Sequence, residues 1–199
     1  MPSLPPASRL VAALSLSTAL AAMPATAESL LAIGPRGVQN LVAGQLFDRT
    51  GRWYLIDDGG CYTFLDSPRT QLQNDRLILH AHLTSRLGQD IGGNCAGANF
   101  SSNVTLSGRL HGSGHVLVLE DIRIDRVDEE STRNALNLAL QVDPAALPHS
   151  ANIDVSEYLK RDVVPAGGAL ARLDEFHIMN ITTRADAVVI HFDLRLSSP

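Results

Sequence analysis

Alternation of apolar and polar residues dominates the middle of the chain. In "RLILHAHLTSR" (residues 76–86) the odd positions are mostly apolar, and successive side chains of a strand point to opposite faces of a sheet. "FSSNVTLSGRL" (100–110) repeats this pattern at its even positions, and "VLVLEDIRIDRV" (116–127) predicts another long strand with a bulge near Glu120. These segments predict an antiparallel sheet with one apolar face.

Shorter strands flank this region. "RWYLI" and "CYTFL" are rich in aromatic and branched residues and are separated by the turn signal "DDGG", and "EFHIMNITT" and "AVVIHFDLRL" predict a closing hairpin. Glycine-rich "HGSGH" and "IGGNCAGAN" lack the spacing of a phosphate-binding loop and are interpreted as turns.

Three segments have helical periodicity instead. One helix is predicted from about residue 35 to 48, where Pro35 suits the first turn. "STRNALNLALQV" predicts a second, which Ser131 or Thr132 could cap, and "DVSEYLKRDV" a short third. The predicted fold class is α+β, with a long curved antiparallel sheet wrapped round amphipathic helices that cover its apolar face.

The N-terminus predicts export. One positive charge, the apolar core "LVAALSLSTALAAM" and the small-x-small pattern "ATA" predict a signal peptide at residues 1–27, followed by a single domain at residues 28–199. The apolar core is shorter than the roughly 20 residues that a spanning helix needs. No cysteine stands at the predicted cleavage site, so we expect a periplasmic or secreted protein without a lipid anchor or a transmembrane segment in the mature chain.

Charge argues against one class of partner. Arg9 is the sole charged residue of the predicted signal peptide, so the mature chain has 15 basic and 21 acidic residues, a net charge of −6. The basic residues are scattered along the sequence. Because nucleic-acid binding depends on neutralising phosphates, we expect no nucleic-acid partner.

The two cysteines, Cys61 and Cys95, predict a disulfide, since an even count in an exported chain favours a bridge. The alternatives are a thiol nucleophile and half of a metal site. Neither cysteine belongs to a C-x-x-C pair or has a neighbouring histidine.

His80 and His82 are the strongest candidates for chemistry. Two positions apart on a strand they share a face and could reach one metal ion, but that face is opposite the leucines and no third ligand can be placed from sequence. We interpret them as polar residues on the solvated side of the sheet. No G-x-S-x-G motif is present, and the acidic clusters fall at turns or strand ends. The sequence therefore predicts no catalytic residue, cofactor or metal.

The order of these segments resembles a known family. Helix "GVQNLVAGQL", strands "RLILHAHLTSRLG" and "NVTLSGRL", then "GHVLVLEDIRIDRV", "NALNLALQV", "VSEYLKRD" and "AVVIHFDLRL" resemble small exported bacterial proteins of the tubular lipid-binding (TULIP) superfamily. "LSGRL" followed by "LVLEDIRIDRV" is the most telling part. The resemblance implies a sheet curled round a helix, with an apolar interior that takes a lipid tail and no catalytic residues. The chain departs from the family's lipoproteins in lacking a lipidated cysteine.

The apolar strand faces therefore have two interpretations. In a compact domain they form the core, whereas in a half-open sheet they could bind a lipid or other hydrophobic ligand, with about 0.8 kcal/mol gained for each buried methylene. The lipid-binding hypothesis predicts a groove lined by Leu41, Leu79, Leu83, Val104, Leu106, Leu138, Val188, Ile190 and Phe192. The alternative is a non-catalytic interaction module or inhibitor of a cell-envelope protein, with a packed interior and an exposed strand edge or loops as its surface.

Overall fold

The computed structural model describes residues 29–58, 60–158 and 173–196. Its larger sheet has six antiparallel strands in the order β2-β3-β4-β5-β6-β7 and is curled into a half-barrel. The bounds of these strands are β2 Arg52–Asp58, β3 Cys61–Gln73, β4 Arg76–Ile91, β5 Asn94–Ser113, β6 Val116–Val127 and β7 Ser150–Asp154. The alternating segments of the sequence thus form one meander, as predicted, with β5 extending to 20 residues.

A second sheet has three strands. It contains β1 (Ser29–Ile33), β8 (Leu173–Thr183) and β9 (Val188–Leu196) in the order β1-β9-β8. The predicted closing hairpin is therefore present, but it pairs with an N-terminal strand that the sequence did not predict. The structure is α+β, with much more strand than helix.

Helix α1 is shorter than predicted, whereas α2 has close to its predicted bounds. Helix α1 (Pro35–Gln45) starts at the predicted proline, and α2 (Glu130–Val142) is followed by a single 3-10 turn at Pro144–Ala146. Neither Ser131 nor Thr132 caps α2: Glu129 is the N-cap residue, without a side-chain bond, and the buried Thr132 hydroxyl donates instead to the Ser101 carbonyl at 3.4 Å. Of the predicted third helix, α3 covers Val155–Tyr158, and the remainder lies outside the described residues, as does the predicted signal peptide.

Helix α1 packs on the apolar face of the larger sheet. Val38, Leu41 and Val42 are its buried residues and join one continuous core with both sheets. The Gln39 side chain fixes the helix to β3, because its amide donates to the Pro68 carbonyl at 2.9 Å and accepts from the Thr70 N–H at 2.6 Å.

The two sheets meet where Gly112 of β5 faces Ile178 of β8. The Ile178 N–H donates to the Gly114 carbonyl at 2.7 Å. A Cβ atom at Gly112 would lie 2.3 Å from the Ile178 Cγ2 and 3.1 Å from its Cβ. Glycine is needed here because the strands approach too closely for a side chain.

The predicted disulfide is confirmed. Cys61 and Cys95 are bonded at 2.04 Å, with their Cα atoms 4.8 Å apart, and link the start of β3 to the tip of the β4–β5 hairpin. A disulfide of this kind is characteristic of proteins that reach an oxidising compartment.

The bulge predicted near Glu120 is also present, since the β5–β6 register shifts between Arg109 and Ser107 and Asp121 has a φ of +50°.

Candidate functional site

Eight of the nine residues predicted to line a lipid groove lie in the packed core. Each of them is at most 7% exposed, and they belong to one apolar cluster with both sheets: Leu41, Leu79, Leu83, Val104, Leu106, Val188, Ile190 and Phe192. The ninth, Leu138, is 64% exposed on α2 and does not join them.

The core of the described part is packed from buried apolar side chains. Its apolar void, enclosed by Leu41, Leu77, Val188 and their neighbours, measures about 10 Å³. A single water molecule needs about 10–15 Å³ measured in this way. This void is therefore too small for an acyl chain.

The two histidines lie on the opposite, outer face of the sheet. His82 makes two bonds, through Nδ1 with Asn103 Oδ1 at 3.4 Å and through Nε2 with the Ser101 hydroxyl at 2.9 Å. His80 makes one, through Nδ1 with the Thr105 hydroxyl at 3.1 Å. The predicted placement on the polar face is thus confirmed. Within residues 29–58, 60–158 and 173–196, no three histidine, cysteine or acidic side chains are grouped so that they could hold a metal ion.

An open groove of about 490 Å³ crosses this outer face above the histidines. Its centre is a row of paired residues on four neighbouring strands, in which Arg69 faces His80, His80 faces Thr105 and Thr105 faces Arg126. We call these four residues the outer row. Ser67, Asn103 and Asp128 also line the groove.

At one side of the outer face, arginine and aromatic side chains stack. The Arg52 guanidinium lies 4.4 Å from the centre of the Phe64 ring, and Tyr62 stacks on Phe64 with 5.7 Å between ring centres. A hydrogen bond to the Tyr54 hydroxyl raises the pKa of Arg52. The pKa of Asp48 is lowered, first by its bond from the Thr50 hydroxyl and then by the Arg52 N–H.

Strand β6 has a free edge along its second half. Strand β7 pairs only with Val116–Glu120, and beyond it the Ile122 N–H reaches the His149 carbonyl at 3.5 Å. No described strand pairs with residues 121–127 on the side away from β5. We call residues 121–127 the β6 edge.

Helix α2 runs back beside the β6 edge and leaves a groove of about 340 Å³, which we call the edge groove. Its apolar lining comes from both elements, with Leu136 and Leu140 of α2 opposite Ile124 and Val127 of β6. Three arginines and one aspartate also line it: Arg123, Arg126, Arg133 and Asp125. Arg126 lines both the edge groove and the groove on the outer face.

Sequence reasoning missed the edge groove. It depends on β7 being only five residues long and pairing with the first half of β6. "SANID" does alternate between polar and apolar residues, but the run is short and its last residue belongs to the predicted third helix, so no strand was predicted there. The arginines of the outer row were missed because Arg69 and Arg126 are 57 positions apart and are brought together only by the strand register.

Comparisons with known proteins assign no family. A scan against models of protein families and a search of curated proteins each give no match. The resemblance to the tubular lipid-binding superfamily, and the finer expectation of a sheet wrapped round its helices, therefore stay predictions. Of the helices in the described ranges, none combines the length and apolar character needed to cross a bilayer.

Proposed function

We propose that this chain is a non-catalytic interaction module that binds an extended segment of a partner protein along the β6 edge. The observation that carries the proposal is the unpaired second half of β6 beside the edge groove. An extended peptide can add as a strand to such an edge, where main-chain hydrogen bonds provide affinity and side-chain pockets provide specificity.

The edge groove has the parts that such recognition needs. The strand presents its outer backbone edge on one side, where the Val127 carbonyl already accepts from Arg133 Nη2 at 2.6 Å. Helix α2 supplies an apolar wall formed by Leu136 and Leu140 on the other side. Because the Ile122 N–H and the Val127 carbonyl already have partners, the open stretch is residues 123–126, which spans about 13 Å at roughly 3.3 Å each. That is room for the central four residues of a partner segment.

Arg123 and Arg126 are ion-paired with Asp125 and Asp128, and Arg133 has no ion pair within the described residues. The groove therefore favours a segment with an acidic side chain near Arg133.

The irregularities of β6 limit unwanted pairing. The register with β5 shifts on both sides of Arg123 and Ile124, and Asp121 adopts a positive φ. Bulges and edge charges of this kind hinder indiscriminate edge-to-edge association. A partner must therefore match the local shape of the groove.

The packed core favours an interaction module over a protein that binds a lipid in its interior. A void of about 10 Å³ suits a rigid scaffold that presents a surface, whereas an acyl chain would require the core to open. A periplasmic or secreted location is part of the proposal, and the Cys61–Cys95 bond supports it.

Selection from a displayed library of seven-residue peptides, followed by affinity measurement on variants, tests the proposal. Leu140→Asn changes a half-buried residue of the edge groove, and Leu138→Asn is the matched control because Leu138 lies on the same helix, 64% exposed and outside the groove. We expect selected peptides to lose at least about tenfold in affinity on Leu140→Asn, since burying an amide without a partner costs about 1–3 kcal/mol, and to bind Leu138→Asn like the unmodified protein. Failure to select any binder, or equal losses in both variants with their folds intact, would overturn the proposal.

A further inference from the structure

We propose that the outer face of the sheet contains a second site, which shares Arg126 with the edge groove and binds a small ligand carrying a phosphate or carboxylate group between Arg69 and Arg126. The site does not depend on peptide binding at the β6 edge. Its basis is the arrangement of hydrogen-bond donors in the groove of about 490 Å³.

The outer row sets the spacing of the two arginines. They stand at the ends of a row of four strands, so their Cα atoms are separated by about three strand spacings, or roughly 14 Å. Two extended arginine side chains can converge on one oxyanion across that distance. His80 and Thr105 lie between them and form the floor.

The backbone at one end of the row is fixed. Ser67 has a φ of +53°, and the register between β3 and β4 shifts between Asp66 and Arg69. Gln39 of α1 holds the bulge from the inner side through the Pro68 carbonyl and the Thr70 N–H. The backbone next to Arg69 is therefore fixed by the bulge and by Gln39.

Several donors of the row have no partner in the part of the chain that the structure describes. Arg69 makes no hydrogen bond or ion pair there, and His80 uses only Nδ1. Arg126 bonds to Asp128 through Nε at 2.8 Å, which orients its guanidinium and leaves both terminal nitrogens free within the described residues. Guanidinium groups with free terminal nitrogens bind phosphate and carboxylate in a fork geometry.

The local charge differs from that of the whole chain. The formal net charge of the chain is −5, yet the groove lining has two arginines against Asp128 alone, before any contribution from the two histidines. Asp66 faces His82 on the outer face, but it is also opposite Arg52, which offsets its charge. The balance at the row therefore favours an anion.

An NMR titration with inorganic phosphate, at a constant ionic strength of about 150 mM so that general screening does not change, tests this site. We expect saturable shifts at His80 and Thr105, and at least about tenfold weaker binding for Arg69→Gln, since the substitution removes the charge-assisted hydrogen bonds of the guanidinium. Arg86→Gln is the matched control, because Arg86 lies on the same face but outside the groove and should leave the affinity unchanged.

Two further probes distinguish the source of the anion. Glycerol 3-phosphate stands for a free phosphorylated metabolite, and vesicles containing phosphatidylglycerol stand for a lipid headgroup. Binding of either one that Arg69→Gln weakens supports the site. Shifts that do not saturate, or that are the same in Arg69→Gln and Arg86→Gln, would overturn it. Because Arg69 does not line the edge groove, peptide binding should persist in Arg69→Gln, and the two proposals fail independently.

Discussion

The side-chain amide of Gln45 pairs with the backbone of Asp154 as a neighbouring strand would. Its nitrogen donates to the Asp154 carbonyl and its oxygen accepts from the Asp154 N–H, each at 2.6 Å. Helix α1 thereby occupies the outer edge of β7 at this point. The edge of β7 is thus partly blocked by the chain itself, in contrast to the β6 edge, which no described strand covers.

Replacing Gln45 should therefore loosen α1 from β7. Gln45→Ala removes both bonds, and we expect the free energy of unfolding to fall by about 1 kcal/mol, since each such bond contributes roughly 0.5–1.5 kcal/mol and these are exposed to water. Urea denaturation measures the change. Asn40→Ala on an exposed position of the same helix is the control, and an equal effect in both variants would contradict the role of the pair.

Loss of the disulfide should destabilise the fold without preventing it from forming. The bond closes a loop of 34 positions, and the chain-entropy model gives about 3–4 kcal/mol for a loop of this length. Urea denaturation of Cys61→Ser/Cys95→Ser, compared with the oxidised protein, measures the difference. A change below about 1 kcal/mol would show that the reduced chain retains the same constraint by other means.

Close packing between the sheets should make Gly112 intolerant of a side chain. Gly112→Ala places a Cβ against the buried, β-branched Ile178, and overpacking of this kind costs about 1–3 kcal/mol. Gly44→Ala is the contrasting control, because its Cβ would meet nothing within 4 Å and glycine inside a helix costs up to about 1 kcal/mol relative to alanine. Thermal denaturation should separate the two variants, and a neutral Gly112→Ala would show that the sheets can move apart.

Much of the larger sheet could be predicted from the sequence because its strands bury one face. In β4, Leu77, Leu79 and Leu83 are at most 3% exposed, and the histidines between them lie on the outer face as expected. The sequence could not tell whether that apolar face forms a packed core or an open groove, since the same leucines would line either one. Helical periodicity also predicted wrongly that Leu138 lies in the core. The buried residues of α2 are Thr132 and Leu136. Strand order and register, which create both candidate sites, arise from contacts between residues far apart in the chain.

The packed interior predicts that the purified protein carries no lipid. Solvent extraction followed by mass spectrometry should find no stoichiometric acyl chain, and fluorescent fatty acids should not bind with saturation, because the interior void measures about 10 Å³. Stoichiometric lipid in the extract would show instead that the core opens, as the tubular lipid-binding resemblance implies.

Amide hydrogen exchange across β6, with and without a selected peptide, tests the central claim most directly. In the free protein, some amides of residues 121–127 should exchange faster than those of Leu117–Leu119, which lie between β5 and β7. A bound peptide should slow these amides by at least about tenfold, since each newly paired group leaves solvent. Protection elsewhere in the chain, with residues 121–127 unchanged, would contradict strand addition at this edge.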